Sequence, residues 1–151
     1  MIYGGNKVLS STGHFWARSN QECDDCTLSF RLKVTKGSIH LVFRMNDQGR
    51  YFIRFDSKSS MLSKQYWPDT LQEDLDKKTV GHKLETWHQV EINVEGSEIT
   101  FKVDNKSEWF YTDPDPLFSG DFSFETLDFS QAEIDDIKVQ VTSPDVIRLF
   151  L

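Results

Sequence analysis

Residues 37–56, GSIHLVFRMNDQGRYFIRFD, decide the fold because their apolar side chains recur at every second position. The first half alternates from Ile39 to Met45, and the second half alternates from Tyr51 to Phe55. Between them, the sequence Asn-Asp-Gln-Gly at residues 46–49 is typical of a turn. We therefore predict two antiparallel strands, at residues 38–45 and 50–57.

The alternation continues on both sides of this hairpin. Upstream, residues 27–35 place Leu28, Phe30 and other apolar side chains on one face, and we expect this strand to form a meander with the two strands of the hairpin. Downstream, we predict a further short strand at residues 61–65. Residues 66–84 lose the alternation, and we interpret them as a long loop that holds at most one strand. Loops of this length often carry function.

The second half of the chain shows the same period-2 pattern. It predicts strands at residues 87–94, 98–104, 120–126 and 134–141, while Asp-Pro-Asp-Pro at 113–116 cannot lie inside a sheet. No segment has a helical period. Roughly ten short strands with turn signals predict an all-β fold, a two-sheet antiparallel β-sandwich. We expect one domain over residues 1–151, with its core at about 14–142 and residues 143–151 as a tail or edge strand.

The composition limits the classes of partner that the protein can bind, but it does not decide the cellular compartment. The net charge of −7 argues against nucleic acid and anionic membranes, and an aromatic content of 13% suits a neutral partner such as a sugar. No apolar run reaches the length of a membrane span. The first eleven residues do not resemble a signal peptide, so we expect a cytoplasmic protein if the chain is complete and allow an extracellular one if it is an excised domain.

The two cysteines, Cys23 and Cys26, are separated by two aspartates. A zinc site of this type needs a second pair of ligands, and none is spaced for it. No helix is predicted after Cys26 to activate a redox thiol. We interpret the pair as two thiols or as one local bridge at the entry to a strand.

Four motifs in succession resemble the concanavalin A-like lectin/glucanase superfamily. They are residues 37–56, ETWHQVEINVEGSEITFKVDN at 85–105, DPLFSGDFSFET at 115–126, and AEIDDIKVQV at 132–141. The succession is most similar to laminin-G-like domains and to 3-keto-disaccharide-hydrolase-like sandwich domains. The resemblance implies a jelly roll of two curved antiparallel sheets. It also implies sugar binding on the concave face or at loops along one rim, with calcium in some members.

Enzymatic motifs are incomplete. Glycosidases on this fold that resemble family 16 carry Glu-x-Asp-x-Glu, and the stretch that begins at Glu133 has Ile137 or Lys138 in place of the second glutamate. Retaining hydrolysis needs two carboxyl groups, a nucleophile and an acid/base. We therefore predict no catalytic residue and no enzymatic activity, and we rank a glycoside hydrolase-like enzyme third, after the two binding functions given below.

The function predicted from these observations is a non-catalytic, lectin-like carbohydrate-binding module. Sugar sites combine flat aromatic rings with planar polar groups. The residues of these types that we predict to contact a ligand are Arg44, Tyr51, Arg54, Tyr66, Trp67 and Trp109. Packing in the core is the alternative role for Tyr51, and an ion pair is the alternative role for Arg44.

A protein-interaction or assembly domain is the alternative function, because the tail ends in the apolar run Val-Ile-Arg-Leu-Phe-Leu. No cofactor is required by either function. Calcium is the metal that we keep as a candidate, because it prefers carboxylate oxygens and the first and last strands of such sandwiches are often neighbours. The predicted ligands are Asp24, Asp25, Asp135 and Asp136.

Overall fold

The computed structural model describes residues 9–141, which form twelve β-strands and no helix. The strands are β1 (Leu9–Thr12), β2 (Phe15–Glu22), β3 (Cys26–Lys36), β4 (Ile39–Met45), β5 (Gly49–Phe55), β6 (Ser59–Tyr66), β7 (Leu71–Thr79), β8 (His88–Glu95), β9 (Glu98–Val103), β10 (Lys106–Thr112), β11 (Asp121–Thr126) and β12 (Gln131–Val141). Within the described residues, no helix could cross a membrane. The predicted tail at 143–151 lies outside them.

The strands form two antiparallel six-stranded sheets. Sheet A has the order β1-β12-β3-β8-β9-β10, and sheet B has the order β2-β11-β4-β5-β6-β7. This architecture confirms the predicted two-sheet sandwich. The predicted meander of residues 27–35, 38–45 and 50–57 is wrong in part: β4 pairs with β5 as predicted, whereas β3 lies in sheet A between β12 and β8. The sequence pattern missed β1, β2 and β10, and it allowed for β7 only as a single strand within a long loop.

Alternate residues of both sheets meet in one hydrophobic core. Phe30 of sheet A packs edge-on against Phe124 of sheet B, with their ring centroids 5.0 Å apart. Both rings are buried, as are Leu41, Ile53 and Phe101. Each side chain of this size contributes about 1.5–3 kcal/mol when it leaves water. The residues of opposite parity on sheet B therefore face outward, and they form the surface described below.

A β-bulge shapes one end of sheet B. The register between β11 and β4 shifts between Asp121 and Ser123, where Arg44 adopts a φ of +47°. A bulge of this kind turns a side chain away from the strand's normal alternation. Gly120, which precedes β11, lies against the backbone of Arg44 and Met45. The close approach holds the end of β11 against β4.

We expect Gly120→Ala to lower the free energy of unfolding by about 2–4 kcal/mol. Gly120 has a φ of +142°, and an added Cβ would lie 2.3 Å from the Met45 carbonyl oxygen. Backbone atoms cannot move aside as a flexible side chain can. Urea denaturation measures the change, with Gly81→Ala as the control because its Cβ would meet nothing within 4 Å. Equal stability of the two variants would contradict this packing.

Candidate functional site

The outer face of sheet B contains side chains that are buried although no further strand of residues 9–141 covers them. Val42, Phe52, Ser63 and Ser123 are each 3% exposed or less. The strand register places them on the face that points away from the core. Phe52 on β5 pairs with Val42 on β4 and with Ser63 on β6. Burial on an outer face is typical of a recessed surface, and recessed surfaces are where ligands bind.

Arg50 lies on this surface, and three aromatic rings are close to its guanidinium. Its guanidinium carbon is 4.7 Å from the ring centroid of Phe52, 5.5 Å from that of Trp16 and 5.9 Å from that of Trp67. Within about 6 Å, a guanidinium is attracted to the face of an aromatic ring. The rings therefore fix the arginine, and Trp16 still exposes 36% of its surface.

The hydrogen bonds of Arg50 leave part of the guanidinium free. Nε donates to Oε1 of Gln65 at 2.9 Å, and Nη1 donates to Oε1 of Glu125 at 3.3 Å. Among residues 9–141, Nη2 has no hydrogen-bond partner. A guanidinium has five N–H donors in a fixed plane, so Arg50 can still donate to another molecule.

Glu125 is the acidic counterpart of Arg50. Its carboxylate accepts from Nε2 of His14 at 3.1 Å and from Nδ1 of His40 at 3.0 Å, in addition to Arg50. Burial alone would raise the pKa of Glu125, but the hydrogen bonds from His40 and His14 and the charge of Arg50 lower this pKa to about 2. The carboxylate is therefore ionised at neutral pH and serves as an acceptor. We call Trp16, His40, Arg50, Phe52, Trp67 and Glu125 together the Arg50 site.

Two of the residues predicted from sequence lie on or beside this surface. Trp67 follows β6, and its indole Nε1 donates to the carbonyl of Asn46 at 3.0 Å. Arg54 is exposed and lies opposite His40, so it shares the outer face of sheet B. A depression of about 910 Å³ adjoins Trp67 and Asp121, and another of about 410 Å³ adjoins Arg54.

Arg44, Tyr51 and Trp109 were predicted as ligand contacts, and their burial shows that this is wrong. Arg44 and Tyr51 are 0% exposed, and Trp109 is 6% exposed. The Trp109 ring stacks on Phe101 with a centroid distance of 5.4 Å. Tyr66 was also predicted beside Trp67, but it lies with Lys64, whose Nζ is 5.1 Å from the Tyr66 ring. Tyr66 is therefore separate from the Arg50 site.

The predicted calcium site is not assembled, because its two acidic pairs lie far apart. Cys26, next to Asp25, lies opposite Val141, whereas Asp135 lies opposite Arg31. Five residues of β3 separate these positions, which is roughly 16 Å at about 3.3 Å per residue. Within residues 9–141, no group of three or more His, Cys, Asp or Glu side chains could hold a metal.

Each of the four acidic residues has a local partner instead. Asp24 and Asp25 accept from the backbone amides of Gly120 and Gly96, and Asp135 and Asp136 form ion pairs with Arg31 and Lys138. The neighbouring cysteines form a Cys23–Cys26 disulfide. Of the two interpretations of Cys23 and Cys26, the local disulfide is therefore the correct one.

The incomplete glycosidase motif lies on the other sheet. Glu133 and Asp135 belong to β12 of sheet A, where they lie 3.6 Å from Lys33 and 3.9 Å from Arg31. These cross-strand ion pairs are an ordinary structural role for charged residues on a sheet. The motif is therefore on the opposite side of the sandwich from the Arg50 site.

Sequence reasoning missed most of the Arg50 site, namely Trp16, His40, Arg50, Phe52 and Glu125. The Phe-Ser-Phe-Glu pattern at residues 122–125 held a usable signal. Its two phenylalanines mark the core side of β11, so Ser123 and Glu125 must face outward.

Neither a protein-family model nor a curated protein matches this sequence. Solved structures do match the fold. The carbohydrate-binding module CBM66 from Bacillus subtilis has a TM-score of 0.73 at 14% identity, over 86% of this chain and 83% of that one. A Bacillus subtilis protein of unknown function with a galectin-like fold has a TM-score of 0.74 at 10% identity, over 88% and 81%.

The β-glucanase of Bacillus licheniformis is also similar, with a TM-score of 0.67 at 12% identity, over 90% of this chain and 78% of that one. At such low identities these likenesses describe the fold alone. They agree with the two six-stranded antiparallel sheets described above. This chain has the concanavalin A-like jelly-roll fold.

Proposed function

We propose that this chain is a non-catalytic carbohydrate-binding module, and that its ligand lies on the outer face of sheet B over Arg50. The observation that carries the proposal is the partly free guanidinium of Arg50, which is held between aromatic rings and beside an ionised carboxylate. Ligand sites combine an apolar surface with a few fixed polar groups in this way.

Each part of the Arg50 site suits one part of a sugar. The exposed surface of Trp16 provides an apolar face for the C–H groups of a pyranose ring. Nη2 of Arg50 donates to ring or hydroxyl oxygens, and Glu125 accepts from hydroxyl groups. Because Arg50 and Glu125 neutralise each other, the site suits an uncharged polyol.

Two buried polar atoms on β11 also support a hydroxyl-rich ligand. Among residues 9–141, Oδ1 of Asp121 and Oγ of Ser123 have no hydrogen-bond partner. Buried polar atoms in proteins are usually satisfied by protein, water or ligand. Both residues lie on the strand that carries Glu125, so an ordered water or a ligand hydroxyl at this end of the surface would satisfy them.

The similar structures support a binding role without deciding the chemistry. They include a carbohydrate-binding module, a galectin from Caenorhabditis elegans and glycoside hydrolases. Hydrolysis needs a carboxylic acid with a raised pKa to protonate the leaving oxygen. The pKa of Glu125 is shifted the other way, to about 2, which favours binding over catalysis at the Arg50 site.

A glycan array tests the proposal with wild type, Trp16→Ala and Trp87→Ala. We expect a specific hit with wild type and a loss of at least about tenfold in affinity with Trp16→Ala, because the stacking surface is removed. Trp87 is the matched control, since its ring lies over Arg31 and Lys33 on the outer face of sheet A. Trp87→Ala should bind like wild type.

The array is run with calcium and with a chelator, and we expect the same hits in both. If wild type binds no glycan in either condition, the proposal is wrong, and the search turns to a protein partner. Turnover of an aryl glycoside by wild type would overturn the non-catalytic part of the proposal.

A further inference from the structure

An exposed phenylalanine lies at the far end of the surface that carries the Arg50 site. Phe129, in the connection between β11 and β12, is 87% exposed. Its φ is +63°, a conformation that residues other than glycine seldom adopt. Such conformations persist where the surrounding structure imposes them, and they are concentrated at functional sites.

The connection that carries Phe129 is held firmly at the next residue. Ser130 is 2% exposed, and its Oγ accepts from the backbone amide of Ser38 at 3.0 Å. Its carbonyl accepts from the amide of Gly13 at 2.8 Å. Gly37 lies so close to Ser130 that any Cβ there would overlap with it. The backbone beside Phe129 is therefore held in place, which lowers the backbone entropy lost when a ligand binds.

Phe129 is connected to the Arg50 site through Arg54. Both residues line the depression of about 410 Å³. Arg54 shares the outer face of sheet B with its cross-strand partner His40, which stacks on Phe52 at a centroid distance of 4.5 Å. Arg54 is exposed, and within residues 9–141 its guanidinium has no hydrogen bond or ion pair. The depression therefore combines an aromatic ring, that of Phe129, with a free guanidinium, that of Arg54, as the Arg50 site also does.

The backbone positions of the two arginines are farther apart than the length of one sugar ring. Arg50 and Arg54 are four residues apart on β5, which is roughly 13 Å at about 3.3 Å per residue. A chain of sugars that follows β5 can therefore contact side chains at both positions.

We propose that Phe129 and Arg54 form a second subsite, and that the ligand is a linear oligosaccharide that lies along β5. This inference rests on the proposed carbohydrate-binding function and adds the length and direction of the ligand. It predicts that affinity increases with chain length. It also assigns that increase to a residue outside the Arg50 site.

Titration calorimetry with matched oligosaccharides tests the second subsite. The probes are β-glucan, galactan and fructan oligomers from disaccharide to hexasaccharide, measured with wild type, Phe129→Ala and Phe110→Ala. We expect wild type to bind the longest oligomer of its preferred series about tenfold more tightly than the disaccharide, the scale of one added aromatic contact. Phe129→Ala should lose this gain and keep its affinity for the disaccharide.

Phe110 is the matched control, because it is 55% exposed on β10 of sheet A. Phe110→Ala should keep the full gain with chain length. If Phe129→Ala also keeps that gain, or if wild type binds all lengths equally, the second subsite is overturned while carbohydrate binding stands. If wild type binds none of the probes or the array glycans, both proposals are overturned.

Discussion

Arg44→Ala should lower the free energy of unfolding by about 3–5 kcal/mol. The Arg44 guanidinium is fully buried and donates to three backbone carbonyls, those of Asp24, Gly96 and Leu117, at 2.6–2.9 Å. It also lies 3.3 Å from the carboxylate of Asp25. Alanine would leave a cavity and three carbonyls without their donor. Urea denaturation followed by tryptophan fluorescence measures the loss.

Arg54→Ala is the matched control for this prediction. Arg54 lies on the adjacent strand and is exposed, so its replacement should change stability by no more than about 0.5 kcal/mol. A stable Arg44→Ala protein that no longer binds its glycan would contradict the structural role. Such a result would restore the sequence-based interpretation of Arg44 as a ligand contact.

The error over Arg44 and Tyr51 came from the turn between β4 and β5. A four-residue turn at residues 46–49 would pair Arg44 with Tyr51, whereas the structure pairs Phe43 with Tyr51. A shift of one residue moves every side chain of a strand to the other face. It moved Tyr51 into the core with Phe43, and it left Phe52 and Arg50 outside. The bulge gives Arg44 its positive φ. No residue pattern in the polar turn that follows predicts this bulge.

The strands that were missed or left uncertain, β1, β2, β7 and β10, are the four edge strands of the two sheets. The interior strands were all predicted because neighbours on both sides enforce burial of every second residue. Edge strands bury less, and β7 has no buried residue at all. Charged edge strands also prevent pairing with other chains. The alternation between apolar and polar residues is therefore too weak in these edge strands to be recognised in the sequence.

Trp16 could not be placed for the same reason. It belongs to the edge strand β2, and only the pairing of β2 with β11 brings it opposite Glu125. The contact between Trp16 and Arg50 joins residues 34 positions apart, through two strand neighbours. Local patterns predict which residues alternate, but the order of strands in the sheet decides which residues meet.

Asp113→Asn should lower the free energy of unfolding at neutral pH by about 3–5 kcal/mol. The Asp113 carboxylate accepts from the Tyr51 hydroxyl at 2.6 Å and from Nζ of Lys64 at 2.9 Å. The side chains of Asp113 and Lys64 are 5% and 2% exposed. Asparagine would leave the Lys64 ammonium buried without a counter-charge. Asp115→Asn is the control, because Asp115 is exposed and contacts Lys64 through its backbone carbonyl.

The same carboxylate makes the Asp113→Asn effect depend on pH. Burial alone would raise the pKa of Asp113, but the hydrogen bonds from Tyr51 and Lys64 hold it below its usual value of 3.8. A pKa that is lower in the folded state stabilises the protein above the unfolded value, and this stabilisation is lost as the pH falls through the folded value. The stability difference between wild type and Asp113→Asn should therefore be full at pH 7 and shrink below about pH 4. A difference that stays constant down to pH 2 would show that the charge of Asp113 is not what stabilises this end of the sandwich.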